Sequence, residues 1–92
     1  FYEKLTKCLP DKCALRIRKG AWPVPEVFRL ISAQAEIAEQ ELYRTFNMGI
    51  GFIVVVNGRD AAAIQKDILK AGLPSYLIGE VVRRTKDKLE LV

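Results

Sequence analysis

Residues 43–58 read YRTFNMGIGFIVVVNG, and the reading of this stretch decides the fold. Gly49 and Gly51, one residue apart, precede the apolar run 52–56. A dinucleotide-binding loop runs in the order strand, G-x-G-x-x-G, helix, so that the helix N-terminus meets the pyrophosphate. Here the glycines precede the apolar run and the third glycine position holds Val54, which excludes that loop. A Walker loop is excluded too, because no Gly-Lys-Ser/Thr triplet occurs in the chain. Two readings remain open. The glycines let a helix turn sharply into a strand. Alternatively, Arg44, Thr45 and Asn47 beside bare glycine backbone hold a phosphate or a sugar.

Just upstream, AEQELYRTF reads as a short helix. Glu39 and Glu41 suit the positive end of its dipole, and Arg44 suits the negative end. Asn47 and Gly49 then tolerate the left-handed conformation of a helix exit. FIVVV, apolar on both faces, predicts a buried strand. GRDAAAIQKDILKAG predicts a helix opened by Asp60, with Ile64 and Ile68 stacked and Gly72 closing it before Pro74. SYLIGEVV predicts another strand, which makes a strand–helix–strand unit with the spacing of a parallel crossover. RRTKDK is a polar turn, and LELV completes a hairpin with Leu89 and Leu91 on one face.

Further upstream, Pro23 and Pro25 hold AWPVPEVFRLISAQ extended before Pro25 enters the first turn of a helix. Val27, Phe28, Leu30 and Ile31 give that helix its apolar face, and Trp22 reads as an aromatic anchored on the sheet. CALRIRKG alternates Ala14, Arg16 and Arg18 with Leu15 and Ile17, the period of a half-buried strand. YEKLTKCL reads as a helix. The expected class is α+β, with one mixed sheet packed by helices in a single domain over residues 1–92.

Half of the 92 residues are hydrophobic, so a folded core is expected rather than disorder. A chain of this size buries only about two-thirds of its unfolded surface, which leaves a thin stability margin. The net charge of +4 is uneven. Residues 1–20 carry +4, residues 21–82 carry −2 and residues 83–92 carry +2. Basic flanks suit anionic partners such as phosphates or RNA, and the competing reading is solvated surface lysine. No aromatics interleave with RRTKDK, so a nucleic-acid partner is not expected. No apolar run has membrane length, so no membrane partner is expected and the location is read as cytoplasmic. The chain has no histidine, which excludes serine–histidine and cysteine–histidine nucleophile pairs within it. Cys8 and Cys13 are too few for a structural zinc site and read as small, semi-buried hydrophobes, so no metal site is expected.

YRTFNMGIG followed by an apolar strand resembles the C-terminal signature of the aminoimidazole ribonucleotide synthetases, also called phosphoribosylformylglycinamidine cyclo-ligases. AWPVPEVFRLI resembles that family's Trp-Pro-x-Pro-x-x-Phe segment, and YLIGEVV its terminal Ile-Gly-Glu strand. The three segments keep the family's order and spacing, from residue 1 to about residue 82. The resemblance implies the family's C-terminal-domain fold, in truncated form. It also implies an ATP- and Mg2+-dependent ring closure that turns formylglycinamidine ribonucleotide into aminoimidazole ribonucleotide, ADP and phosphate in purine synthesis. Arg44, Thr45, Asn47, Gly49 and Gly51 are then expected to line the substrate cleft, with no catalytic residue assigned. Family members are usually homodimers with an N-terminal ATP-binding domain.

The chain departs from the pattern at its start. The family's Gly-rich stretch before the position of Phe1 is absent, and Lys7 stands where members have arginine. The expectation is a C-terminal fragment that lacks the ATP-binding domain and has no turnover alone. The alternative is a stand-alone nucleotide- or phosphate-binding module without catalysis.

Overall fold

The alternation in CALRIRKG is realised as strand β1 (Cys13–Ile17). In the computed structural model, which describes residues 5–92, β1 is the centre of a three-stranded sheet. Strand β2 (Gly79–Arg83) runs antiparallel on one side of it, and β3 (Leu89–Leu91) runs parallel on the other. Three helices complete the described chain: α1 (Glu26–Ala35), α2 (Glu39–Thr45) and α3 (Ala61–Lys70). The class is therefore α+β with one mixed sheet.

Register explains which face is buried. Leu15 lies opposite Val81 and Leu89, and Ile17 opposite Gly79 and Leu91. Leu15, Ile17 and Leu89 join Trp22, Leu42, Tyr43 and Met48 in one core cluster. On the other face Arg16 lies opposite both Glu80 and Glu90. Its Nε is 3.2 Å from Glu90 and its Nη1 is 3.8 Å from Glu80, which also lies 3.6 Å from Arg18. These pairs are half-exposed and contribute at most about 1 kcal/mol each, so their value is in fixing register. Gly79 is required where it stands. A Cβ there would lie 2.0 Å from the Arg16 carbonyl oxygen.

The expected hairpin between β2 and β3 does not form. Both strands pair with β1, and residues 84–88 cross over its start: Arg84 N donates to Lys12 O, and Leu15 N to Lys88 O, each at 2.8 Å. This arrangement sets both carboxylates against Arg16 and lays Leu89 and Leu91 against Leu15 and Ile17. A two-stranded ribbon would leave those leucines without a partner strand on the core face.

The run 52–56 does not form the expected buried strand. It joins no ladder among the described residues, and Phe52 is 87% exposed. A strand apolar on both faces needs neighbours at its edges and cover above and below. Both edges of β1 are taken by β2 and β3, and residues 52–56 pair with the outer edge of neither. The parallel crossover is therefore not made, and SYLIGEVV is a strand only from Gly79 onward. Residues 51–77, including α3, form an arm whose Val54, Val55, Leu69, Leu73 and Leu77 are all more than half exposed. The radius of gyration of 14.3 Å reflects this arm, against about 12 Å for a compact domain of this length.

Other elements follow local rules with small displacements. Pro25 is the N-cap of α1 rather than a first-turn residue. Phe28 and Ile31 pack on the core while Val27 and Leu30 stay exposed. Asp60 precedes α3 without a side-chain cap bond, inside the 3-10 turn Gly58–Asp60. Gly72, at φ 88°, ends α3 as expected, with Gly72 N donating to Leu69 O and Leu73 N to Ile68 O. Of the helix read over YEKLTKCL, the described residues hold a 3-10 turn, Thr6–Cys8, flanked by Leu5 and by an extended Leu9, and residues 2–4 lie outside the described residues. Cys13 is half-buried as expected, but Cys8 is exposed. Among the described residues, no helix is long and apolar enough to cross a membrane.

Candidate functional site

Helix α2 delivers the chain to the 43–51 stretch. Its Leu42 and Tyr43 are buried, which turns Arg44 and Thr45 outward. Lys19 Nζ bonds the Glu39 carboxylate in the first turn of α2 and so ties that turn to the segment after β1. Phe46 leaves the helix in an extended conformation, its ring 5.7 Å from that of Phe28 on α1.

Residues 47–50 then form a tight turn. Ile50 N donates to Asn47 O at 3.0 Å, and Gly49 N donates to Asn47 Oδ1 at 2.9 Å. Met48 has φ 54° and Gly49 φ 94°, positive at both central positions as in a type I′ turn. A non-glycine residue is strained there, and the strain at Met48 is offset by burial. Its side chain is 3% exposed, and its carbonyl accepts the indole N–H of buried Trp22 at 3.0 Å.

The two glycines have different reasons. A Cβ on Gly49 would lie 2.5 Å from Pro25 Cδ, so this close approach admits only glycine. A Cβ on Gly51 would meet nothing within 4 Å. Within this chain the fold requires Gly49 and not Gly51.

Of the five residues expected to line a cleft, Asn47 and Gly49 are bonded to each other, and Gly51 follows on exposed backbone. Arg44 is exposed and pairs with Glu41 at 3.5 Å on its own helix, and Thr45 is exposed beside it. All five are exposed along one stretch of chain rather than gathered in an enclosed pocket. Two concavities of the described surface, around Lys12 and Arg83 and around Glu39 and Glu90, are lined by none of the five. Glu80, pairing with Arg16 and Arg18, belongs to the sheet face.

Trp22 and Pro25 are the residues whose part in this site the sequence reading missed. Trp22 does anchor in the core, but it also holds the turn through its N–H. A buried indole N–H needs an acceptor, and the Trp-Pro-x-Pro spacing gave no indication of which one. Burial, and secondarily the Glu39 carboxylate, raises the Tyr43 hydroxyl above its ordinary value, against opposing pulls from Lys19 and Arg29. Tyr43 is therefore a neutral core hydroxyl beneath this stretch, not a base.

The sequence match extends over the whole chain. The family model described as AIR synthase related protein, C-terminal domain, matches residues 1–92. A phosphoribosylformylglycinamidine cyclo-ligase of Thermoanaerobacter sp. (strain X514) is 39% identical over 82 residues, which cover 89% of this chain and 24% of that protein. Its counterpart in Staphylococcus aureus (strain JH9) is 35% identical over 92 residues, covering 100% of this chain and 27% of that protein. The chain thus spans about a quarter of the length of the curated relatives it matches. It belongs to the family of AIR synthase related proteins, as a C-terminal-domain sequence.

Proposed function

We propose that this chain is the C-terminal part of an ATP-dependent cyclo-ligase of purine biosynthesis, which closes the imidazole ring of formylglycinamidine ribonucleotide. The products are aminoimidazole ribonucleotide, ADP and phosphate. One observation carries this reading: the stretch that bears the family likeness, 43–51, is also the one the fold braces from below and presents outward. Relatives bearing the cyclo-ligase name support it.

In this reading the chain supplies the ribonucleotide-binding wall. Asn47 spends its Oδ1 on the turn, so its NH2 is the group it offers to a substrate amide or ribose. Arg44 offers a charged fork to the substrate phosphate, and Thr45 a hydroxyl. Gly51 leaves open space for backbone approach. ATP and Mg2+ belong to the N-terminal domain that the longer relatives have room for. The residues here do not fit them: no Walker loop exists in the sequence, and among the described residues no three His, Cys, Asp or Glu converge as metal ligands. The whole enzyme is read as a cytoplasmic homodimer.

The test uses the longer polypeptide. Arg44→Ala is expected to raise KM for the ribonucleotide about tenfold or more, the equivalent of one charge-assisted hydrogen bond, at unchanged melting temperature. Asn47→Ala should raise KM and also lower the melting temperature, because it removes the acceptor for Gly49 N. A loss of stability with KM unchanged would reduce the stretch to a structural turn. The isolated chain is expected to release no ADP above background. Ribonucleotide binding by that chain alone, at full affinity, would favour the stand-alone module.

A further inference from the structure

The crossing of residues 84–88 over the start of β1 has made a second feature. Where that segment meets residues 11–12 lies an open concavity of 510 Å3, lined by Asp11, Lys12, Arg83, Arg84, Thr85 and Lys86. It shares no residue with the 43–51 stretch and owes nothing to the function proposed above. We propose that it binds a small oligophosphate anion.

Charge is the first argument. Residues 11–12 and 83–88 hold five cations and two carboxylates, which leaves +3 of the chain's net +4 in these two short segments. Asp11, the one acid in the lining, is already paired, its Oδ1 3.2 Å from Lys88 Nζ. Lys12, Arg83 and Lys86 enter none of the ion pairs among the described residues. With Arg84, which among the described residues bonds only carbonyl oxygens, they make four uncompensated cations around one hollow. These repel each other, and a multivalent anion relieves that repulsion.

Preorganisation is the second. Arg84 donates from Nε to Lys86 O at 3.1 Å and from Nη1 to Asp11 O at 3.4 Å, and its backbone N–H donates to Lys12 O. The Arg84 side chain therefore ties the two segments together and fixes the shape of the hollow before any ligand arrives. The volume lies within the range of small-molecule sites, about 300–1,000 Å3. The lining is free of aromatics, so nothing there stacks a base. This favours a phosphate chain over single-stranded nucleic acid.

The experiment is a titration of this chain with inorganic tripolyphosphate, followed by amide chemical shifts and calorimetry at low salt. Saturable single-site binding is expected, with the largest shifts at residues 11–12 and 83–86 and weaker binding of orthophosphate. The triple variant Lys12→Ala, Arg83→Ala, Lys86→Ala is expected to weaken binding by at least about tenfold. Its circular dichroism should match the parent's, because all three side chains are exposed. The single variant Arg83→Lys, which keeps the charge, should retain most of the affinity. Shifts spread evenly over every lysine, or a triple variant that binds as tightly as the parent, would overturn the proposal. So would a short RNA that binds where tripolyphosphate does not.

Discussion

Pro25 Cδ occupies the place that a Cβ on Gly49 would need, the two points being 2.5 Å apart. The entry to α1 and the turn after α2 are therefore fitted to each other. Gly49→Ala combines this clash with a backbone at φ 94°. It should cost about 2 kcal/mol and lower the melting temperature by about 10 °C. Gly51→Ala meets open space and should change stability by less than about 0.5 kcal/mol. Thermal denaturation of the two variants side by side checks the assignment, and equal losses would contradict it.

Trp22→Phe keeps an aromatic body in the core but removes the donor to Met48 O. A buried carbonyl left without its partner costs about 1–3 kcal/mol. The loss should appear as a lower denaturant midpoint at unchanged slope. Faster amide exchange at Ile50, whose N–H closes the turn, should accompany it.

Tyr43 adds to the loss of stability at alkaline pH. Its folded-state value is raised above 10.0 by burial first and Glu39 second. Above pH 10 the unfolded chain loses this proton before the folded chain does. The Tyr43 contribution is therefore complete below the unfolded value and is lost as pH rises through the folded one. Denaturation between about pH 9 and 11 should show a fall in stability that Tyr43→Phe makes shallower. An identical fall in both proteins would remove Tyr43 as its cause.

The arm 51–77 predicts association. Phe52, Val54, Val55, Leu69, Leu73 and Leu77 are exposed together, which is more apolar side chain than a monomer usually shows in one segment. Sedimentation should reveal concentration-dependent self-association of this chain. Val54→Lys should reduce it without changing the melting temperature, because residue 54 joins no ladder. A strictly monomeric parent would count against the prediction.

How far the sequence could be read depends on which interactions are local. The alternation of Leu15 and Ile17 with Arg16 named β1 directly, and Gly72 named the end of α3, because both depend on the residues' own neighbours. Pairing partners were not legible. Leu89 and Leu91 showed which side of β3 is apolar, yet the same pattern suits a hairpin with β2 or a place beside β1. FIVVV carried every sign of a central strand, but whether a neighbouring strand lies beside it is a tertiary matter that composition does not carry. At the candidate site, glycine, asparagine and arginine were visible as residue types. The braces at Trp22 and Pro25 came only from tertiary contact, as did the different needs of Gly49 and Gly51.

The central position of β1 also has a consequence in time. During synthesis Leu15 emerges long before Leu89, its neighbour across the parallel ladder. Gly79–Arg83, its antiparallel neighbour, is late as well. No part of this sheet can close on a nascent chain until nearly the whole stretch has been made. Such long-range closure is slow compared with helix formation. The helices α1 and α2 should therefore form first and wait for the sheet, and the folding rate of the domain should follow the arrival of its last two strands.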